Sequence, residues 1–536
     1  MLIFETLLGL VAAAVLLALV ARRFNVPLAV ALVLGGMVLA FSPFPPVVQL
    51  EPELALALFL PPLLQASAQR TDWQAFRSDL AAILLLALGA VVFTALVVGG
   101  VAKWLVPSLP WWAAIALGAI VAPPDAVAAT AVLKEFKIPR RIVTVLEGES
   151  LINDASSLVL YRFAVAATMA GTASLLEGSW QFVLSAAGGG AIGLGAGWAT
   201  AWLLNRLAEP MLEIVVTILA GFGAYLAAEA VHVSGVLAAV ACGAVLGRHL
   251  FALSARTRIE ANVTWAFVEF VLTVLIFMLI GMQLRGIVER LTDYDVWQLA
   301  LLGVAISGAL IVSRLVWVFA TFYPVEALQH ALRERAFKPP LSHPLVISWA
   351  GMRGVVSLAT ALALPQDFPH RDIIVFLAFC AILATLVLQG TTLGPLIRRL
   401  SLDEPSMEAV KPETVLARKE VAAAALDAVS GKLESPEHRD VAEGLLEEFR
   451  ARVDHAESLD EDVAAAATRK EAQLRLRLEA IEAARAKLLE RRDELDGETL
   501  ATLVQELDLE EAQIRVALEG ASDQLLAAPQ PAQAER

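Results

Sequence analysis

Charge and cysteine are scarce in this sequence, and each scarcity removes a class of protein. Only 18% of the 536 residues are charged, against 58% hydrophobic, whereas soluble globular domains carry about 25% charged residues. A soluble fold of this length has no means of hiding so much apolar surface. The two cysteines, Cys242 and Cys380, each lie inside an apolar run and offer neither a disulfide framework nor metal-ligand spacing. The first apolar run lacks a basic flank before it and a small-residue cleavage site after it, so it reads as a retained span rather than a removed signal peptide. The runs are apolar on every side, without the alternation over about ten residues that marks the strands of a membrane β-barrel.

What the chain does have is long apolar sequence. A helix needs about 20 apolar residues to cross a bilayer, and thirteen segments of roughly that kind can be marked: Leu2–Val20, Val26–Phe41, Leu54–Ala68, Leu80–Val101, Trp111–Leu133, Ile142–Ala170, Phe182–Leu204, Leu212–Ala228, Val233–Leu246, Trp265–Met282, Leu299–Phe322, Pro344–Leu364 and Ile373–Leu396. Three of them are short or interrupted. The expected fold is an all-α polytopic membrane domain over residues 1–400. Loop charge orients it. With the N-terminus outside, the inner loops hold Arg22 and Arg23; Arg70 and Arg77; Lys134, Lys137, Arg140 and Arg141; Arg206; Arg248, Arg256 and Arg258; Arg333, Arg335 and Lys338; and Arg398 with Arg399. The outer loops hold Glu51, Glu53, Glu177, Glu229 and the mixed stretch Arg285–Asp295, with Lys103 the exception. This bias follows the positive-inside rule, and an odd number of spans then puts the C-terminal region in the cytoplasm.

From Ser401 the balance changes. There 17 Lys or Arg face 32 Asp or Glu, a net of −15 against −14 for the whole chain, which leaves the first 400 residues at +1. Residues 401–536 are thus expected to form a separate acidic helical tail. From about Glu408 the pattern is amphipathic, as in ARKEVAAAALDAVSGKL, DVAEGLLEEFRARV and EAQLRLRLEAIEAARAKLLERRDEL. Alanine and leucine on one face of a charge-laced helix predict antiparallel or coiled-coil-like packing. The Asp496–Gly497 pair is expected to break the longest helix, and the prolines and glutamines near Ala527–Gln533 to leave a disordered end. The acidity argues against nucleic acid or anionic lipid as a partner of the tail. The tail holds no nucleotide-binding loop or metal motif. Regulatory self-association and a merely solubilising role both stay open for it.

An ionisable group inside the bilayer is costly and tends to line a pathway or to pair with another charge. The informative ones fall in four segments. The fifth reads IVAPPDAVAAT, where Pro123 and Pro124 remove two amide donors and clash with the preceding turn. This predicts an interrupted helix whose ends carry partial charge. Asp125 is placed to compensate those ends, to bind an ion, or simply to cap the second half-helix. The sixth segment, LEGESLINDASSLVLY, puts Glu147, Glu149 and Asp154 beside Ser150 and Asn153. Residues four apart share a helix face, so Glu149 aligns with Asn153, and Ser150 with Asp154. A carboxylate with a neighbouring hydroxyl suits a hard monovalent cation such as sodium, since hard ions prefer oxygen ligands. Dehydration favours the protonated carboxyl, so a proton competes with the cation for one group. The plainer account is a polar helix mouth without a bound ion.

The eleventh segment isolates Arg314 in LIVSRLVWVFA, and a buried arginine needs an anionic partner. Glu149 is the best candidate because it leaves Asp154 free, with snorkelling to a nearby surface as the alternative. The twelfth segment reads ISWAGMRGVVSLATALALP, where Gly351 and Gly354 flank Arg353 and predict a second interruption. Two interrupted spans in corresponding halves point to inverted repeats with a transport site at their interface; close packing by the glycines competes with this. Arg353 near one break and Asp125 near the other would neutralise the facing helix ends.

At these residues the chain resembles the monovalent cation:proton antiporter-1 family, which includes bacterial NhaP-type and animal sodium/proton exchangers. The matching stretches are FLPP (Phe59–Pro62), PPDAVAA (Pro123–Ala129), EGESLINDASSLVLY (Glu147–Tyr161), FMLIGM (Phe277–Met282), LIVSR ending at Arg314, WAGMRGVVSLA (Trp349–Ala359) and LVLQGTTLGPL (Leu386–Leu396). Their order and spacing cover nearly all of the first 400 residues. The resemblance implies an antiporter rather than an enzyme, with thirteen helices divided between a dimerisation domain and a mobile core domain. It further implies a homodimer in the bacterial inner membrane, in contact with lipid, with no cofactor and no nucleic-acid partner.

Residue by residue, Asp154 resembles the family's ion- and proton-binding carboxylate and the ligand of the transported monovalent metal ion, with Ser150 a cation ligand beside it. Asn153 resembles the asparagine of the Asn-Asp pair typical of electroneutral members; electrogenic relatives tend to have two aspartates. Glu149 and Arg314 resemble the family's buried salt bridge. Asp125 resembles the aspartate at the crossing of the broken helices, with Gly351 and Arg353 at the other break. Two departures stand out. Pro124, Asp125 and Ala126 replace the common Thr-Asp-Pro, and Gln65 and Ala66 stand where many members have an acidic residue. The implied activity is one-for-one exchange of Na+ for H+ by alternating access. K+ or Li+ antiport is an alternative, as is a cation channel or sensor with a signalling tail. A channel needs a continuous open pore, whereas broken helices around one buried carboxylate favour alternating access.

Overall fold

The computed structural model describes residues 2–24, 26–41, 52–133, 136, 138–171, 175–207, 209–291, 294–333, 341–400, 402, 412–433, 439–461, 463–490 and 497–527. Lys134, Lys137, Arg335, Lys338, Glu51, Asp496 and the residues beyond Ala527 therefore lie outside the described residues. The chain forms two compact units, Met1–Asp403 and Glu404–Arg536. Every regular element among the described residues is a helix.

In the first unit each apolar segment coincides with a helix or with two half-helices. Two are split: Trp111–Val121 is followed by Ala126–Leu133, and Ser342–Trp349 by Val355–Leu362. Among the described residues, five helices are by length and composition long and apolar enough to cross a membrane: Leu80–Leu105, Pro210–Ala230, Ala255–Val288, Val296–Phe322 and Arg371–Arg399. Leu28–Ala40, Trp111–Val121 and Gly235–His249 are shorter apolar helices. Several helices outrun their apolar segments. Ala255–Val288 starts well before Trp265, because Ser254 accepts a hydrogen bond from the Thr257 N–H (3.1 Å) and Arg256 pairs with Glu260 one turn on (2.8 Å). Capping and i,i+4 pairs extend a helix where apolarity gives no signal.

Small residues set the helix crossings. Where Leu28–Ala40 meets Ala255–Val288, a Cβ on Gly36 would strike the Met278 carbonyl oxygen, and one on Gly281 that of Val33. Lipid offers no hydrophobic drive between helices, so close backbone approach through small residues replaces it. The half-helix Trp111–Val121 lies in the middle of the unit, buried along Ala113–Val121 and packed by Val91–Leu105, Arg140–Ala170 and Arg371–Ala384. Its end, and with it the first break, is thereby carried into the core.

Two wide π-helical turns, Leu85–Ala90 and Thr385–Gln389, interrupt otherwise α-helical spans. Such turns release carbonyls from the regular ladder. The Ser156 hydroxyl donates to Ala87 O (2.6 Å) and the Trp317 indole N–H to Leu85 O (3.2 Å). These bonds tie Leu80–Leu105 both to the helix of Asp154 and to that of Arg314.

The second unit holds Pro412–Ser430, Arg439–Glu461, Val463–Glu490 and Gly497–Ala527. The last two share an apolar seam of Leu474, Leu478 and Ile481 against Leu507, Ile514 and Leu518. Arg485 bridges the pair, meeting Asp508 and Glu511. Glu511 also accepts from Arg515 (2.7 Å), and these partners hold its carboxyl below the usual glutamate range.

Candidate functional site

The two breaks meet at one place. The Asp125 N–H donates to the Met352 carbonyl (2.7 Å), which joins the unwound residues of one split helix to those of the other. Around this junction the half-helix ends sort by polarity. The carbonyl ends of Trp111–Val121 and Ser342–Trp349 face Arg353, which is fully buried. Its guanidinium donates to Val121 O (2.9 Å), to Ala122 O (3.3 Å) and to Gly351 O. A cation is the group that orphaned carbonyls and the negative end of a helix dipole require.

The amide ends face Asp125. Its Oδ1 accepts from the Val127 N–H (2.8 Å), capping Ala126–Leu133. Its other carboxylate oxygen reaches Gly354, the residue preceding Val355–Leu362, and a Cβ there would collide with it. Glycine at 354 is thus a steric requirement of the crossing. Gly351 has a parallel duty, since a Cβ on it would strike the Arg314 side chain. The Arg353 N–H donates to Thr385 Oγ1 (3.1 Å), so the second π-helical turn holds the break from behind.

Arg314 and Glu149 are almost completely buried and form a bidentate pair at 2.6 and 2.8 Å. Arg314 also donates to Ile347 O near the end of Ser342–Trp349 (3.2 Å). The fork geometry satisfies both carboxylate oxygens, which is the condition under which a buried ion pair is tolerated. Glu149 is thereby fully occupied.

Asn153 is fully buried and donates to Pro124 O (3.0 Å), a carbonyl freed by the first break; its Oδ1 has no partner among the described residues. Asp154 is 5% exposed, and among the described residues nothing donates a hydrogen bond to its carboxylate. It lines a cavity of about 40 Å³ together with Asp125, Ser150, Ser67 and Thr273, closed by Leu60, Leu64, Ile276, Phe277 and Val356. That is room for a water-sized occupant. Glu147 lies outside this cavity.

Sequence reasoning passed over Ser67 and Thr273. Thr273 is a lone hydroxyl in an apolar run and Ser67 stands between Gln65 and Gln69 at the end of one; they come from Pro52–Arg70 and Ala255–Val288 and share a cavity with Asp154 only in three dimensions. Gln65 and Ala66 turn elsewhere. Gln65 is buried, donating to Thr217 O (2.7 Å), and Ala66 packs with Ile214 and Trp265. The cavity wall from this helix therefore carries a serine and no acid.

Residues 10–399 match the model of a family described as sodium/hydrogen exchanger, transmembrane. An uncharacterized Na(+)/H(+) exchanger of Escherichia coli, YjcE, is 33% identical over 91% of this chain and 94% of its own length. A sodium, potassium, lithium and rubidium/H(+) antiporter of Bacillus pumilus is 34% identical over 82% of this chain and 68% of its own. Among solved structures, the sodium proton antiporter MjNhaP1 of Methanocaldococcus jannaschii superposes with a TM-score of 0.58 at 18% identity, covering 75% of this chain and 99% of that one.

Proposed function

The chain belongs to the sodium/hydrogen exchanger family, and from that premise we propose how its buried charges exchange the two ions. It is a multi-pass membrane transporter that exchanges Na+ for H+. One observation carries the assignment of the exchanging group. Of the site's three carboxylates, Glu149 is taken by Arg314 and Asp125 by the amide end it caps, while among the described residues nothing donates a hydrogen bond to the buried Asp154. A carboxylate buried without a partner must be neutralised by something that comes and goes.

Asp154 binds either one Na+, with the Ser150 hydroxyl beside it, or one proton. Ser67 and Thr273 add oxygen ligands from the opposite wall. Only the neutralised site crosses between inward- and outward-facing states, so competition for one carboxylate couples the two ions. Asn153 holds the broken helix through Pro124 without adding a second charge, which makes exchange one-for-one and insensitive to voltage. Asp125 and Arg353 compensate the helix ends throughout the cycle. Thirteen spans with the N-terminus outside, a regulatory acidic tail over residues 401–536 in the cytoplasm, and a homodimer in the bacterial inner membrane complete the reading. The loop charges support that orientation.

The decisive measurement is sodium-induced proton movement in everted vesicles, followed by a pH-sensitive dye. Asp154→Asn abolishes it; a variant with normal exchange overturns the assignment. A broader cation range is the second reading, favoured by the absence of an acid at Gln65 and Ala66 and by the substrates named for the Bacillus pumilus relative. Comparing sodium, potassium and lithium in the same vesicles separates the two.

A further inference from the structure

A cavity of about 550 Å³, much larger than the one at Asp154, lies among the ends of four helices of the first unit. One wall is the C-terminal part of Leu2–Phe24 with the start of Leu28–Ala40; the other is Ala126–Leu133 with Gly390–Arg399, and Phe270 contributes from Ala255–Val288. Its lining is apolar for the most part, including Leu19, Val132, Phe136 and Phe270. Among the described residues the charged ones that line it are Arg22 and Arg398, both exposed at its rim, and none that lines it is acidic. Among the described residues neither arginine has a carboxylate partner. The Arg398 guanidinium lies 5.4 Å from the centre of the Phe136 ring, which holds it against the cavity wall.

Each arginine sits in the last turn of its helix, where a cation is favoured by the dipole. That explains a charge at each helix end. It does not explain an apolar chamber between them. Two guanidinium groups over apolar walls match a molecule with an anionic phosphate at one end and hydrocarbon at the other. Guanidinium is the preferred phosphate clamp, and basic pockets between membrane helices take anionic head groups. A free phosphate would leave the apolar walls unused.

We propose that this cavity binds an anionic membrane phospholipid, with Arg22 and Arg398 on its phosphate and the first part of an acyl chain against Leu19, Val132 and Phe270. The proposal rests on the reading that these helices cross a bilayer. The site bears on exchange because Ala128 and Val132 belong to the half-helix capped by Asp125, whereas Arg22 and Ala29 belong to the facing wall. A bound lipid bridges the two walls and ties the exchange rate to the lipid composition of the membrane.

The test uses the full chain purified in detergent, with the thermal unfolding midpoint read against added phosphatidylglycerol, phosphatidylcholine and inorganic phosphate. Phosphatidylglycerol raises the midpoint, and the other two do not. Each of Arg22→Gln and Arg398→Gln weakens the apparent affinity about fivefold, and the double variant loses the shift. Ala18→Phe, which fills the cavity without touching a charge, loses it as well, so a misfolded arginine variant does not end the test. An equal shift in wild type and variants, no shift in the wild type, or a full shift with phosphate alone overturns the proposal. Sodium-driven exchange is measured on the same preparation after reconstitution. A lipid shift without exchange counts against the transporter reading alone, and exchange without a shift counts against the lipid site alone.

Discussion

At the scale of single residues, the carboxylates of the site differ by their partners and not by their chemistry. Glu149 and Arg314 neutralise each other at 2.6 Å in a fully desolvated setting. Removing one member of such a pair strands the other, at a cost of about 3–5 kcal/mol. Glu149→Gln is therefore expected to lower the thermal unfolding midpoint sharply, and the double variant Glu149→Gln with Arg314→Met to recover much of the loss. No recovery in the double variant would mean that each side chain acts through other contacts. Asn153 stands next to Asp154 and donates to Pro124 O. Asn153→Asp places a second acid beside the first, and exchange in proteoliposomes is expected to become dependent on membrane voltage. Ser67 and Thr273 line the Asp154 cavity. Alanine at either is expected to raise the sodium concentration needed for half-maximal exchange several-fold while leaving the maximal rate nearly unchanged.

At the scale of elements, the crossing of the split helices is a device for storing one cation and one anion where four helix ends meet. Arg353 takes the carbonyl ends and Asp125 the amide ends. The arrangement tolerates no bulk. A methyl on Gly354 would enter the Asp125 carboxylate and a methyl on Gly351 the Arg314 side chain. Gly354→Ala is expected to abolish exchange while the protein still reaches the membrane, because the Asp125 cap is displaced without loss of any core side chain. Normal exchange in this variant would show that the crossing relaxes easily. Arg353→Met would leave the Val121, Ala122 and Gly351 carbonyls unsatisfied at about 1–3 kcal/mol each, so loss of folded protein is the expected outcome there.

At the scale of the whole molecule, two units of opposite character share one chain. The first is apolar and nearly neutral; the second is acidic and held by a short apolar seam with ion pairs at its edge. Glu511 accepts from Arg515 and meets Arg485, and its carboxyl is held below the ordinary glutamate value of about 4.3. A depressed folded-state value means that the ion pairs stabilise the helix pair fully above that pH and cease to do so as the pH falls through the lowered value. The amide protection factors of Val463–Glu490 and Gly497–Ala527 in the full chain, taken relative to the intrinsic exchange rate at each pH, are expected to be high at neutral pH and lower in strong acid. In Glu511→Gln the protection at neutral pH is already reduced. If the tail regulates exchange, deleting the residues after Met407 shifts its pH profile; an unchanged profile would leave the tail a solubilising role.

The breaks are written in local chemistry: Pro123 and Pro124 remove amide donors, and Gly351 and Gly354 weaken a helix beside a charge, so a reader of the chain alone can place them. The apolar runs and the acidic tail are likewise properties of composition. Helix limits were less legible, as at Ala255–Val288, because caps and i,i+4 pairs extend a helix beyond its apolar part. The sequence marks Asp154, Glu149, Arg314 and Arg353 as costly groups needing partners, since a charge in an apolar run is improbable without one. Which atoms meet was decided by the tertiary structure. Arg353 reaches Val121 and Ala122, Ser67 and Thr273 arrive opposite Asp154, and Gln65 turns away toward Thr217. Periodicity within one helix fixes a face but not the helix it confronts; that depends on small residues such as Gly36 and Gly281, which determine how closely and where backbones cross.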